Sequence, residues 1–174
     1  MALPKLVLSD IDGVWTDGGM YYDEKGNESK KFNTSDSAGV LFCKILKIPM
    51  GIITGENNNI IIKRAKKLNI DILHMGVNNK LKVVEELSLR YGIPMSEIAY
   101  VGDDINDILT LKSVGISACP ADAPDYVKKC VNIVLQKKGG EGVFREFVEH
   151  LLIESRQLET VLEIYLNTPT VFSQ

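Results

Sequence analysis

Two short stretches of this sequence concentrate carboxylates in a pattern that suits a metal ion. Asp10 and Asp12 stand two residues apart, directly after the apolar run at 5–9. Side chains two apart in an extended segment point to the same side, so we expect both carboxylates to share one small space. Such crowding costs several kcal/mol unless a cation or a proton is present. A helix cap or a solvated turn is the alternative for either aspartate alone.

The second acidic stretch lies much later in the chain. Gly102-Asp103-Asp104 follows another apolar run, and Asp107 comes one helical turn on. Capping of a helix N-terminus is the alternative here, because aspartate is favoured at that position. Two acidic clusters after two strands of one sheet predict instead a magnesium site of carboxylates, waters and a phosphate.

Two further positions could bind an anion. Thr54-Gly55 follows a strand and precedes a helix, where a hydroxyl and bare amides form an anion site, although threonine is also a common helix cap. Lys80 stands at a predicted helix start, where a cation opposes the helix dipole and therefore has another use. A solvated surface lysine is the alternative.

The elements that must position these residues alternate between strand and helix. Apolar runs predict strands at 5–9, 49–53, 70–74, 98–101, 115–118 and 131–135. Helical spacing of apolar residues predicts helices at 37–47, 58–68, 79–91, 106–114, 123–129 and from 143 to about 152. This order predicts an α/β fold, a Rossmann-like parallel sheet flanked by helices, with ligands at the carboxyl ends of the strands. A polar turn at 23–27 adds a small β-hairpin at about 19–32.

Composition excludes several classes of protein. The 174 residues predict one domain at 1–153 and a partly helical tail at 154–174. A net charge of −3 argues against nucleic-acid binding. Three cysteines in apolar surroundings predict buried free thiols. We find no signal-peptide pattern and no apolar run long enough to span a membrane, so we expect a cytoplasmic protein.

The two acidic stretches, with Thr54 and Lys80 between them in the chain, form four motifs. In this order these motifs resemble those of the haloacid dehalogenase superfamily of phosphotransferases. The resemblance implies that Asp10 attacks phosphorus and carries the phosphoryl group. It implies that Asp12 protonates the leaving alkoxide and then deprotonates water. Asp10, the Asp12 carbonyl and Asp103 would hold Mg²⁺. The remaining roles implied are phosphoryl binding by Thr54 and Lys80, orientation of Lys80 by Asp107, and support of the ligands or a further metal contact by Asp104.

The segments at 12–18, 31–37 and 139–146 narrow the resemblance to the small capless phosphatases of 3-deoxy sugar acid biosynthesis. No large cap domain fits between the motifs. In this group the hairpins of four subunits pack together, so the resemblance implies a homotetramer in which a neighbour helps to cover each open site. An edge hairpin on a monomer is the alternative.

The group includes phosphatases of three related substrates. These are 3-deoxy-D-manno-octulosonate 8-phosphate (KDO8P), 2-keto-3-deoxynononate (KDN) 9-phosphate and N-acetylneuraminate 9-phosphate. An arginine commonly follows the Thr-Gly pair in KDO8P phosphatases, whereas this chain has Glu56. This departure favours the nine-carbon substrates, with KDO8P as the alternative. The candidate substrate-binding residues are Thr34, Ser35, Gly55, Glu56, Arg64 and Lys67.

Other functions stay open at this stage. A non-catalytic oligomerisation domain, like that fused to some CMP-sialic acid synthetases, would have lost the catalytic residues that this chain retains. A phosphoglycolate or nucleotide phosphatase would need a larger cap. A receiver domain would not explain Asp12. The tail at 154–174 either packs on the core or reaches a neighbouring subunit's site.

Overall fold

The computed structural model describes residues 1–168 and contains a six-stranded parallel sheet. The strands of this sheet are β1 Leu6–Ser9, β4 Met50–Ile53, β5 Ile72–His74, β6 Ile98–Val101, β7 Ile116–Cys119 and β8 Ile133–Val134. Their order across the sheet is β5-β4-β1-β6-β7-β8. Every residue of β1, β4, β6 and β7 is buried, as expected for parallel strands covered on both faces. The predicted fold class is therefore confirmed.

Helices cover both faces of the sheet. They are α1 Asp36–Ile45, α2 Asn59–Lys67, α3 Lys80–Tyr91, α4 Ile108–Ser113, α5 Asp125–Lys128, α6 Val143–Glu154 and α7 Leu158–Asn167. Side chains of β1 alternate between the two layers. Val7 belongs to the core that includes residues of α1, α2, α6 and α7, whereas Leu6 and Leu8 belong to the core that includes residues of α3, α4 and α5. The apolar alternation of the sequence thus builds two cores around one central strand.

The helix predicted at 106–114 begins differently. Residues Ile105–Asp107 form a 3₁₀ turn, and only then does α4 start. The Asp104 side chain accepts from the Ile105 amide at 2.7 Å and forms a capping box with Asp107. Capping therefore tightens this turn ahead of the α-helix.

Trp15, the single tryptophan of the chain, lies in the turn after β1 and is fully buried. Its ring stacks on Phe144 of α6 with centroids 4.6 Å apart. Its indole N–H donates to the Ser9 hydroxyl at 2.9 Å. The turn that carries the first acidic stretch is therefore anchored to both the sheet and α6.

The predicted hairpin is present as a separate antiparallel pair, β2 Tyr21–Tyr22 with β3 Glu28–Ser29. Its apolar side chains face outwards in this chain: Met20, Tyr21 and Tyr22 are 53%, 45% and 61% exposed. Two such short strands are marginal in water on their own. No large cap domain accompanies the hairpin within residues 1–168, as the sequence predicts.

The tail is helical through α7, and Val161 is buried in the same core as α1 and α6. The proposed boundary at 153/154 lies at the end of α6 and stays a prediction. The sequence Asn167-Thr168-Pro169 predicts the end of this helix, and Pro169 lies outside the described residues. Cys43 and Cys119 are buried free thiols, but Cys130 is only half-buried. None of the described helices is long and apolar enough to cross a membrane.

Candidate active site

Adjacent central strands bring the two acidic stretches together. Ser9 of β1 pairs with Val101 of β6, and the Asp10 amide donates to the Val101 carbonyl at 2.9 Å. The segments that follow these two strands therefore leave the sheet at the same edge. One carboxylate oxygen from each of Asp10, Asp103 and Asp107 lies within 4.8 Å of the others.

Asp10 is 5% exposed and forms an ion pair with the Lys80 ammonium at 2.9 Å. Burial, followed by the negative charge of Asp107, raises the pKa of Asp10 to about 7, and Lys80 only partly opposes the rise. The carboxyl group therefore needs more positive charge nearby to be fully ionised at neutral pH.

Lys80 is buried at the first residue of α3, where its positive charge opposes the helix dipole. Two carboxylates account for its position there. Its ammonium contacts Asp10 at 2.9 Å and Asp107 Oδ1 at 2.8 Å. Burial alone would lower the pKa of Lys80, but the charges of Asp10 and Asp107 raise it above its ordinary value. Lys80 is thus a fixed positive charge between two carboxylates.

Asp107 is fully buried, and both of its oxygens are occupied. Oδ1 accepts from Lys80 and from the Tyr100 hydroxyl, at 2.8 and 2.6 Å. Oδ2 accepts from the backbone amides of Asp103 and Asp104, both at 3.2 Å. Asp107 therefore holds the second acidic stretch in place and has little capacity left to bind a metal ion.

Asp103 differs from Asp107, because its Oδ1 is buried and has no hydrogen-bond partner among the described residues. Burial, followed by the charges of Asp10 and Asp107, raises the pKa of Asp103 to about 8. Gly13 makes room for this carboxylate: its φ is +80°, and a Cβ there would lie 1.9 Å from Asp103 Oδ2. A crowded carboxylate pair with an unpartnered oxygen is the donor set that a divalent cation fits.

Asp12 is not one of the three carboxylates that lie within 4.8 Å of one another, although Asp10 and Asp12 line the same cleft. The extended backbone ends at Ser9, and the Val14 and Trp15 amides fold back to the Ile11 carbonyl. The resulting turn carries Asp12. Its Oδ1 accepts from the Thr16 hydroxyl at 2.9 Å and from the Lys30 ammonium at 2.7 Å.

Thr54 follows β4 and is buried beside the cluster at the same sheet edge. Its hydroxyl accepts from the Glu56 amide at 3.1 Å and keeps its own proton to donate. An open cleft lies over this edge. Its lining comprises Asp10, Asp12, Gly13, Gly18, Met20, Thr54, Gly55, Glu56, Asp103, Asp104 and Asn106.

The structure brings two of the six predicted substrate-binding residues, Gly55 and Glu56, to this cleft. Thr34 is exposed and Ser35 half-buried, ahead of α1. Arg64 donates to the Asn33 carbonyl at 3.0 Å, with its guanidinium 5.5 Å from the Phe32 ring. Lys67 is exposed at the end of α2. These four do not line the cleft within one described chain, and their role in substrate binding stays a prediction.

Tyr100 and Lys30 each donate to a carboxylate of the site and lie outside the sequence prediction. Tyr100 lies in a buried strand, and a buried tyrosine hydroxyl requires a hydrogen-bond partner. A tyrosine within this apolar run was therefore the signal that could have identified it. Lys30 reaches Asp12 from the hairpin, and nothing in its spacing identifies that contact. Side chains that meet through tertiary packing leave no periodic pattern.

Known proteins resemble this chain over most of its length. The family model for haloacid dehalogenase-like hydrolases matches residues 19–147. The 3-deoxy-D-manno-octulosonate 8-phosphate phosphatase of Haemophilus influenzae is 34% identical over 85% of this chain and 82% of its own.

Two solved structures of enzymes with that name share the fold. The Yersinia pestis enzyme superposes with a TM-score of 0.86 at 33% identity, over 90% of this chain and 84% of its own. The Moraxella catarrhalis enzyme, solved with magnesium, phosphate and KDO, gives a TM-score of 0.89 at 29% identity, over 93% of each chain.

Proposed function

This chain is a phosphatase that belongs to the haloacid dehalogenase-like hydrolases, and from that premise we propose that it hydrolyses KDO8P. The names of its relatives support this substrate. They do not support the preference for nine-carbon substrates that the sequence suggested at Glu56. A single glutamate beside the phosphate site is weaker evidence than similarity over most of two chains.

The observation that carries the chemistry is the buried Asp10, flanked by Lys80 and by the unpartnered oxygen of Asp103. We propose that Asp10 attacks phosphorus and forms an aspartyl-phosphate. Thr54 and Lys80 bind the non-bridging oxygens and stabilise their charge in the transition state. Asp12 protonates the leaving alkoxide and then takes a proton from the water that attacks the intermediate.

The donor set fits Mg²⁺, which the carboxylates of Asp10 and Asp103 and the Asp12 carbonyl would hold. When bound, the cation would supply the positive charge that ionises Asp10 and offsets the charge of the phosphate. Asp107 orients Lys80, as its contacts suggest, and Asp104 supports the loop.

A steady-state comparison of three substrates tests the proposal. We expect the kcat/KM for KDO8P to exceed those for KDN 9-phosphate and N-acetylneuraminate 9-phosphate by at least about tenfold, or about 1.4 kcal/mol. Asp10→Asn supplies the inactive control. A preference of that size for either nine-carbon substrate would overturn the KDO8P assignment.

Glu56 separates the two substrate classes further, because it lines the cleft. For a nine-carbon substrate, Glu56→Ala should lower kcat/KM by about one to two orders of magnitude and affect a small aryl phosphate much less. For KDO8P we expect less than about a threefold change. A large loss of kcat/KM on KDO8P alone would show that Glu56 contacts the eight-carbon sugar.

We further propose a homotetramer, because the exposed hairpin residues Met20, Tyr21 and Tyr22 offer an apolar surface beside an open site. Light scattering that shows a monomer at micromolar concentration would contradict this. The free cysteines suit a reducing compartment, and we place the enzyme in the cytoplasm on that ground.

A further inference from the structure

The hairpin delivers a buried ammonium group to the site. Lys30 directly follows β3, and its side chain is only 1% exposed. The ammonium lies 2.7 Å from Asp12 Oδ1 and 3.4 Å from Glu28 Oε1. A lysine side chain is seldom buried unless it is paired, so these contacts account for its position.

Lys30 has two carboxylates as partners and donates to one of them. Its hydrogen bond to Asp12 Oδ1 is 2.7 Å long, and Glu28 lies within ion-pair distance on the same hairpin.

The Asp12 carboxylate is held asymmetrically. Oδ1 accepts from both Lys30 and Thr16, which approach from the hairpin and from the turn after β1. Oδ2 is buried and has no hydrogen-bond partner among residues 1–168. Two donors on one oxygen fix the plane of a group that otherwise rotates about a single bond. They leave Oδ2 as the oxygen available for a proton.

We propose that Lys30 is a positioning residue for the leaving-group step: it holds Oδ1 of Asp12, so that Oδ2 carries the proton to the ester oxygen. The inference rests on the acid–base role proposed for Asp12. In the step, Asp10 bonds to phosphorus, the phosphorus–ester oxygen bond breaks, and its electron pair stays on that oxygen. The oxygen then takes the proton from Oδ2, and Lys30 keeps its own.

Leaving-group dependence distinguishes this role from a structural one. An alkoxide is a poor leaving group and needs the proton, whereas 4-nitrophenolate leaves without it. The kcat/KM covers only the steps up to phosphoryl transfer to Asp10, so the later water step does not enter. Misplacing an acid therefore lowers kcat/KM for an alkyl phosphate much more than for 4-nitrophenyl phosphate.

The experiment compares Lys30→Met and Lys30→Arg with Lys31→Met, a control at an adjacent residue whose side chain is 68% exposed. For Lys30→Met we expect kcat/KM to fall about 10- to 100-fold on KDO8P and less than about threefold on 4-nitrophenyl phosphate. Lys30→Arg keeps the charge and the donors. It should therefore recover part of the ratio of kcat/KM on KDO8P to kcat/KM on 4-nitrophenyl phosphate. Lys31→Met should match the parent enzyme on both substrates.

A double-mutant cycle tests whether Lys30 acts through Asp12. In an Asp12→Asn background, Lys30→Met should produce no further change in the ratio between the two substrates. Equal losses on both substrates, no loss on either, or an undiminished effect in that background would each overturn the proposal. Should Lys30→Met not fold, as judged by circular dichroism, Lys30→Gln replaces it as the loss variant and Lys30→Arg remains the rescue.

The substrate assignment fails separately from this inference. If the parent enzyme prefers a nine-carbon substrate, that alkyl phosphate replaces KDO8P in the ratio and Lys30 is tested unchanged. If Asp12→Asn itself leaves the ratio intact, the acid–base role of Asp12 fails, and with it the role of Lys30.

Discussion

Replacing Lys80 with methionine should destabilise the cation-free protein. Removal of one partner from a buried ion pair costs about 3–5 kcal/mol. Asp107 would keep the Tyr100 hydroxyl and two backbone amides as donors, so its charge stays satisfied. The deficit falls on Asp10 alone, and its carboxyl can take up a proton instead of staying an unpaired charge, so we expect at most the lower value, about 3 kcal/mol. For a chain of this length that upper limit corresponds to a melting temperature lower by about 6–12 °C.

The measurement is thermal unfolding in excess chelator at pH 7.5, followed by circular dichroism. Lys82→Met is the matched control, because Lys82 is exposed two residues along the same helix. It should change the free energy of unfolding by less than about 0.5 kcal/mol. Mg²⁺ should restore part of the stability of Lys80→Met by balancing the charge of Asp10. At pH 5.5 the deficit should shrink, because Asp10, with its pKa of about 7, is then neutral.

A Lys80→Met protein that melts with the parent in chelator at pH 7.5 would refute this reasoning. It would mean that Asp10 carries no charge there for Lys80 to balance. A loss of stability that persists unchanged at pH 5.5 would assign the effect to packing instead.

Three further outcomes follow from the same site. Asp10→Asn, which keeps the shape of the side chain but not its charge, should reduce phosphate release to near background; substantial turnover, free of parent enzyme, would exclude Asp10 as the nucleophile. Chelation should abolish activity and Mg²⁺ should restore it, whereas Ca²⁺, with its larger and looser shell, should inhibit; full activity in EDTA would contradict a metal-dependent site. Burial and neighbouring charges raise the pKa of Asp10 to about 7 and of Asp103 to about 8, so the folded apoprotein holds more protons than the unfolded chain up to about pH 8 and loses stability as the pH rises to that value. The rise in melting temperature on adding Mg²⁺ should therefore be larger at pH 8.5 than at pH 5.5. An equal rise at both pH values would show that these carboxyls do not bind the cation.

Sequence alone predicted the architecture and the acidic edge of the sheet well, because both depend on local signals. Apolar runs located β1 and β6, and each acidic stretch follows its strand directly. The neighbouring positions of these strands follow from the general rule for ligand sites in parallel sheets. The end of α3 at Gly92 was likewise predictable, since its φ of +64° suits glycine.

Features set by tertiary contact were not predictable in the same way. The extended strand ends at Ser9, so Asp12 stands in a turn and not in the extended segment that its spacing from Asp10 assumes. Lys30 meets Asp12 only because the hairpin folds back over the sheet edge. Arg64 packs beside Phe32, so its charge does not reach the cleft of its own chain. In each case the backbone path, rather than residue type, decides the contact.

The buried indole of Trp15 gives the protein a built-in optical reporter. It is the single tryptophan of the chain, so intrinsic fluorescence excited at its absorption band comes from one known place. That place is the turn carrying Asp12 and Gly13, held to Ser9 by a hydrogen bond and to α6 by the stack on Phe144. Any ligand that shifts this turn changes the polarity or quenching around the ring. Cation and phosphate binding can therefore be followed by emission, without a label and without turnover.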